Sequence, residues 1–324
     1  MMYKEFDILA LGEILIDFTH NGISNQGNGL FEANPGGAVS NVLAMMNKLG
    51  HSSAFMGKVG DDIFGKLLKR TLDELDINTE YMLVDKDVRT TLAFVANDET
   101  GERSFSFYRN PGADMMLKEE EVSEDVIKST RIFHFGTLSM THDGVREATK
   151  KALDIAKQEG VLISFDPNLR ESLWSSLDLA KEQFDYGMRY CDVLKISDNE
   201  IQWFTGKENY DEGVKYLQDT YQIPLIFLTL GREGSRAYYK DMCVEAAPFI
   251  QQQTIETTGA GDTFFGTALH FILEKGLEQL TKEDLQEILT FANAAASIIT
   301  TRKGALKVMP SWDEIAELVY CFFG

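Results

Sequence analysis

Apolar runs of strand length alternate with amphipathic helical patterns along nearly the whole chain, and this alternation restricts the fold more than any single motif. Phe6 to Leu11, Ala54 to Val59, Ile132 to Phe135, Val161 to Asp166, Val193 to Ile196 and Leu225 to Leu230 read as strands buried on both faces. Helical periodicity fills residues 39–49, 63–75, 145–158, 177–190, 212–221, 285–300 and 313–322. Such alternation specifies an α/β fold: a parallel sheet with helices on both faces. No repeat, low-complexity tract or linker divides the 324 residues, so one domain over 1–324 is expected. From Thr90 the period changes to two, through Thr91 to Val95 and, after a turn at Asn97 to Glu102, Ser104 to Tyr108. This is a hairpin that should project from the main sheet as a small β lid. The lid segments are expected at about residues 14–34 and 88–110, with Asn21 to Gly29 a Gly/Asn-rich loop. The lid's apolar outer face is a candidate homodimer surface.

Composition narrows the partners. Thirty-one Lys and Arg against 51 Asp and Glu give a net charge of −20, a surface that repels nucleic-acid backbones and anionic lipid. Any phosphate compound it handles must be held by local cations or a metal. Three widely spaced cysteines without metal-ligand spacing, and no signal or membrane-length apolar run, point to a cytoplasmic protein. His134, between Phe133 and Phe135 in a strand, reads as a core histidine, and no cluster of the other histidines is expected.

The chemistry is concentrated at Glu256 to Gly266. Gly259, Ala260 and Gly261 precede Asp262 and a long apolar-periodic segment, so a helix should start there. A helix N-terminus with small residues offers bare N–H groups to an anion. An acid in that turn suits a general base that deprotonates a hydroxyl attacking the bound phosphorus; a glycine-rich turn with a capping Asp is the alternative. Pro35-Gly36-Gly37 opens another helix with Asn41 one turn in, and Asp17 lies past the end of the first strand. Arg109 ends the hairpin and can reach a ligand beneath it. Gly60, Gly65 and Lys66 match a phosphate-loop spacing, but Leu67 replaces the required Ser or Thr and Asp61 and Asp62 oppose phosphate, so this is a strand-to-helix turn. Polar clusters follow several strands: Asp166 with Asn168 and Arg170; Lys195, Ser197 and Glu200; Thr229, Gly231, Glu233 and Gly234. In a parallel sheet these share one rim, where ligands bind.

Residues 35–65 and 256–266 resemble the two signatures of the PfkB (ribokinase-like) carbohydrate kinase family. Within it, Glu102 to Pro111, Gly12-Glu13 with Asp17, and Asp166 to Arg170 are most similar to bacterial fructokinases. The resemblance implies a Rossmann-like α/β domain with a β lid, and ATP- and Mg²⁺-dependent phosphorylation of a sugar hydroxyl. By matching position, Asp262 would be the base and Gly259, Ala260 and Gly261 the anion hole, with Arg170 on the substrate or the transferring phosphate. Asp17, Gly36, Gly37, Asn41, Phe107, Arg109 and Asp166 would bind sugar. Asn168, Lys195, Ser197, Thr229, Gly231, Gly234 and Asn293 would line the nucleotide, with the Arg302 to Gly304 loop closing over it. Two departures stand out. The family's Asn-x-x-Glu is Ser197-Asp198-Asn199-Glu200 here, which keeps the acid that acts through Mg²⁺-bound water and loses the amide. Glu256 replaces the Asp that, with the residue matching Thr258, helps hold a monovalent cation such as K⁺. The expected activity is that of a fructokinase. The alternatives are a 2-keto-3-deoxygluconate kinase, whose carboxylate Arg109 and Arg170 would meet, and a non-catalytic sugar- or nucleotide-binding module.

Overall fold

The computed structural model describes residues 4–97 and 103–323; the expected turn at Asn97 to Glu102 falls largely outside them. The chain opens with β1 (Phe6–Leu11), β2 (Leu15–Ile23), β3 (Gly29–Gly36), α1 (Ala38–Lys48), β4 (Ser53–Gly60), α2 (Ile63–Glu74) and β5 (Met82–Asp85). Next come β6 (Leu92–Asn97), β7 (Arg103–Tyr108), α3 (Glu124–Lys128), β8 (Thr130–Gly136), α4 (Asp143–Gln158) and β9 (Leu162–Asp166). The middle continues through α5 (Leu177–Met188), β10 (Val193–Ser197), α6 (Asp198–Thr205), α7 (Tyr210–Tyr221) and β11 (Leu225–Thr229). It closes with β12 (Ser235–Tyr239), β13 (Met242–Ala246), α8 (Ala260–Lys275), α9 (Lys282–Ile299) and α10 (Trp312–Phe323). Among the described residues no helix is long and apolar enough to cross a membrane.

The main sheet has nine strands in the order β13-β12-β11-β10-β9-β8-β1-β4-β5, and all run in one direction except β12, which is antiparallel to both of its neighbours. Alternation along each strand feeds a core on either face. On β11, Leu225 and Phe227 join the core built with α1, α2, α8, α9 and α10, and Ile226 and Leu228 join the one built with α3 to α7. His134 is a core residue as expected, bonded through Nδ1 to Ser164 Oγ (3.0 Å), and burial drives its pKa down to about 3.

A second sheet, ordered β3-β2-β6-β7, joins Leu15 to Gly36 with Leu92 to Tyr108. Two details differ from the sequence reading. Asp17, expected past the end of β1, lies inside β2, paired with Asn34 and Ala93, and Asn21 to Ile23, expected in a loop, extend that strand. Pro35 and Gly36 belong to β3, and the helix starts only after Gly37. Pro35 is tolerated there because β3 is an edge strand, with no strand on its other side among the described residues. The β12–β13 hairpin was not expected either. Its turn, Lys240-Asp241, carries no glycine or asparagine, and Lys240 takes the left-handed conformation (φ 52°).

The turn after β4 is the ordinary one expected, and it is tightly made. Asp62 Oδ1 accepts from the N–H groups of Phe64 (3.0 Å) and Gly65 (2.8 Å), and Oδ2 accepts from Thr90 N (2.8 Å) at the root of β6. One carboxylate therefore caps α2 and ties it to the second sheet. Asp62→Ala should lose about 2 kcal/mol of stability in urea unfolding, at the upper end for a lost cap. An unchanged midpoint would show that Asp62 does not hold this junction.

Candidate active site

The rim formed by the carboxyl ends of β1, β8, β9 and β10 carries two adjoining cavities, each of about 360 Å³. The first is walled by Glu13, Leu15, Asp17, Gly37, Ala38, Asn41, Phe107, Leu138, Thr257, Thr258, Gly259, Gly261 and Asp262. The second is walled by Leu169, Glu171, Ser197, Asn199, Glu200 and Trp203. Asn168, Arg170 and Lys195 line both. Asn168 turns the chain there in a left-handed conformation (φ 48°) that asparagine tolerates.

Asp262 lies in the first turn of α8, buried, and Asn41 Nδ2 on α1 donates to its Oδ2 at 2.7 Å. Burial raises its pKa, and Lys195, Asn41 and Arg170 hold the rise in check. The result is a carboxylate more basic than an exposed one, as a general base requires. Asn41 Oδ1 is buried and has no partner, so a ligand hydroxyl in this cavity has an acceptor waiting.

Lys195 is positioned by strand register. Val193 and Leu194 of β10 pair with Ser164 and Phe165 of β9, so the next step sets Lys195 beside Asp166, and Nζ donates to Oδ2 at 2.8 Å. Burial works against the ammonium charge, but Asp166, Glu200 and Asp262 outweigh it and its pKa lies above that of an ordinary lysine. Asp166 pays for its burial with a pKa pushed up to about 6, and its Oδ1 is unpartnered. A Cβ at Gly261 would lie 2.9 Å from Lys195 Nζ, so glycine lets the ammonium sit against the start of α8. Fixed cation and helix N-terminus thus face the same space, as an anion demands.

Several expected residues take other places. Ala260 does not line the cavity, and its N–H donates to Thr257 O (3.2 Å), so of this turn Gly259, Gly261 and Asp262 face the ligand space. Arg109 does not reach the ligand space: Nε donates to Asp114 Oδ2 (2.7 Å), Nη1 to Thr141 Oγ1 (2.8 Å) and Nη2 to Leu138 O (3.0 Å). A buried acid five residues downstream claims the guanidinium before any ligand can. Asp166 sits behind Lys195 rather than on the wall, and Gly36 lies behind Asp17. Asn293 is fully engaged, accepting from Ser235 Oγ (2.8 Å) and donating to the carbonyls of Ala246 (3.2 Å) and Ala247 (3.1 Å). It anchors the β12–β13 hairpin, and neither it nor Thr229, Gly231 or Gly234 lines either cavity.

Glu200 accepts from Leu169 N (2.7 Å) through Oε1 and from Ser197 N (2.9 Å) and Oγ (2.8 Å) through Oε2, capping α6 while facing the second cavity. Ser197 thus serves as the cap where the family has an amide. Glu256 Oε1 accepts from Gly304 N (2.7 Å) and so fastens the Arg302 to Gly304 loop, whose Arg302 Nη1 donates to Val308 O (2.8 Å). Glu256 and Thr258 also border a small enclosed space together with Asp17 and Asn34.

Glu13 is the wall residue that sequence reasoning passed over as a site. It is buried just past β1, its Oε1 accepts from Ala38 N (2.7 Å), and burial pushes its pKa up to about 7. An acid directly after a buried strand and Gly12 was the available signal. Asp17 is half-buried, open to the cavity and enclosed elsewhere; burial raises it to about 7, with Arg170 opposing and Glu256 and Asp262 adding to the rise.

Residues 5–312 match the family described as pfkB family carbohydrate kinase. The chain belongs to the pfkB family of carbohydrate kinases. Among curated relatives, a probable fructokinase-2 from Arabidopsis thaliana is 39% identical over 307 residues, which is 94% of this chain and 93% of that one. The fructokinase of Xylella fastidiosa with bound ATP superposes with a TM-score of 0.89 at 27% identity, covering 98% of this chain and 99% of that one. A double mutant of the Vibrio cholerae O395 fructokinase, bound to fructose, ADP and potassium, gives 0.85 at 28% identity, over 98% and 99%.

The paired acids have a measurable consequence. Glu13 and Asp17 keep protons in the folded chain at pH values where the unfolded chain has lost them, so stability falls as pH rises from about 4 to about 7. Glu13→Gln and Asp17→Asn stay neutral. Without ligand, each should melt above the wild type at about pH 8, and the gap should close toward pH 4. Thermal melts across that range check it; a gap that is constant with pH would exclude ionisation as the cause.

Proposed function

We propose that this protein is an ATP-dependent fructokinase that transfers the γ-phosphoryl group to a fructose hydroxyl in one in-line step. The observation that carries this reading is the junction of the two cavities. Asp262, the open start of α8, Lys195 and Arg170 meet between a wall of sugar-binding character and a wall that carries Ser197 and Glu200. That the relatives named above are fructokinases, with fructose, ADP or ATP in the solved ones, supports the choice of sugar and donor.

Glu13, Asp17 and the free Oδ1 of Asn41 offer acceptors to hydroxyl protons, while Phe107 and Leu15 cover the sugar's apolar edges. Asp262 takes the proton from the attacking hydroxyl as the O–P bond forms, and Asn41 holds the carboxylate in line. Gly259, Gly261 and the α8 dipole take up negative charge on the phosphoryl oxygens, and Lys195 and Arg170 neutralise it from the other side. An oxygen donor of the kind Mg²⁺ favours is present, since Glu200 faces the second cavity. Bound with ATP, Mg²⁺ would supply charge neutralisation at the β- and γ-phosphates. Glu256 and Thr258 beside Asp17 are the candidate place for K⁺. The exposed apolar side chains Ile23, Leu30, Phe31 and Tyr108 support the second sheet as a homodimer surface.

The keto-acid alternative fits less well. With Arg109 committed to Asp114, a substrate carboxylate would meet two acids, Glu13 and Asp17, across the cavity. Asp262→Asn should bind nucleotide with near wild-type affinity while kcat falls about 10²–10⁴-fold. Coupled ADP release with fructose, ribose and 2-keto-3-deoxygluconate identifies the sugar. Turnover retained by Asp262→Asn, or a preference for the keto acid, would overturn the respective assignment.

A further inference from the structure

Away from both cavities the fold brings together two histidines that lie far apart in sequence. His51 follows the end of α1, and His270 sits on α8, roughly 12 Å along the helix axis from Asp262. His51 Nε2 lies 2.7 Å from His270 Nδ1, and Glu274, one helical turn on, completes a group whose ligand atoms all lie within 4.8 Å of one another. The absence of a histidine cluster expected from the sequence is thereby corrected: α1 packs against α8, which the spacing of the residues does not reveal.

The group has a supporting layer. Asp7 Oδ2 lies 3.5 Å from His51 Nδ1. Asp7 is itself fixed by Arg131 Nη1 (3.0 Å) and Ser52 N (3.1 Å). A carboxylate on one imidazole nitrogen directs the lone pair of the other outward, and metal-binding histidines are commonly oriented this way. With the Nδ1–H of His51 toward Asp7, His51 Nε2 accepts from His270 Nδ1–H in the metal-free chain, and a bound ion would take the place of that proton, which leaves to solvent. Two imidazole nitrogens and one carboxylate oxygen suit Zn²⁺ and its neighbours rather than Mg²⁺. Glu274 is exposed, His270 is part-buried and the His51 side chain is only 8% exposed, so an ion would enter from the Glu274 side and keep water as a further ligand. The net charge of −20 favours a cation over the whole surface.

We propose that His51, His270 and Glu274 bind one divalent transition-metal ion, with Asp7 positioning His51. The ion would fasten the loop after α1 to the distal half of α8. The test is calorimetric titration of the chelator-stripped full-length protein with Zn²⁺, in excess Mg²⁺ to occupy oxygen-rich sites. One ion per chain should bind. His270→Ala should abolish this binding, and Glu274→Gln and Asp7→Asn should each weaken it by about tenfold or more. Glu274 is exposed, so its variant reports on binding even if His270→Ala folds poorly. Fructose turnover by Glu274→Gln in Mg²⁺ alone should equal that of the wild type. Replacing the exposed thiols, Cys243→Ser with Cys321→Ser, should leave Zn²⁺ binding intact. No binding by the wild type, binding unchanged in Glu274→Gln, or loss in the cysteine variant would overturn the site; an unaffected Asp7→Asn would overturn the role of Asp7.

Discussion

The buried pairing of Lys195 with Asp166 is the constraint from which the site follows. Two charges removed from water seldom stabilise a fold more than well-packed apolar residues would, and removing one partner leaves the other stranded. The pair occupies the ends of adjacent central strands, where an apolar pair would have satisfied the core. Its chemical return is a fixed ammonium group at the start of α8. Asp262 then gains a counter-charge, and the helix N-terminus gains a partner in holding an anion. Glu200 also stabilises the ammonium charge, so Lys195 stays protonated despite its burial.

The second sheet adds acids to a wall that is already acidic. Asp17 enters through β2, and Gly36 in β3 is needed because a Cβ there would come within 2.4 Å of the Asp17 carboxylate. Glu13 sits at the crossing from the main sheet to the second one. These carboxyls lower the stability of the ligand-free chain as they ionise, and on the proposed reading they would accept hydroxyl protons from the sugar. Asn41 joins the two halves of the chain, 221 residues apart in sequence, through its bond to Asp262. The same packing of α1 on α8 that makes this bond also brings His51 to His270.

Legibility in the sequence followed the range of the interactions. Strands such as Val193 to Ser197, buried on both faces, announce themselves by composition, and the rim follows from their common direction. The start of α8 is local too, and the sequence placed Asp262 in its first turn, where the structure has it lining the cavity. Arg109 and Asn293 were misplaced because their partners, Asp114 with Leu138 and Ser235 with Ala246, decide where the side chains go, and no local pattern records that competition. Asp17 was placed past the end of the first strand, with no strand of its own, because a strand leaving one sheet for another looks, in sequence, like the end of the first. Glu13 was undervalued for a related reason: its environment is assembled from Ala38 and the enclosing core, not from its neighbours in the chain.

The overall charge sharpens the case for local control. A surface at −20 repels a nucleotide carrying several negative charges, so long-range steering works against this substrate. At physiological salt that field is screened beyond about 8 Å, whereas partly buried groups are screened far less. On the proposed reading, what ATP would meet at the rim is set by Lys195, Arg170 and the α8 terminus, not by the sum over the surface. The same reasoning makes the metal carried with ATP more than a catalyst of transfer: by reducing the nucleotide's charge before contact, it lessens the repulsion that the acidic surface and the carboxylates near the junction would otherwise impose.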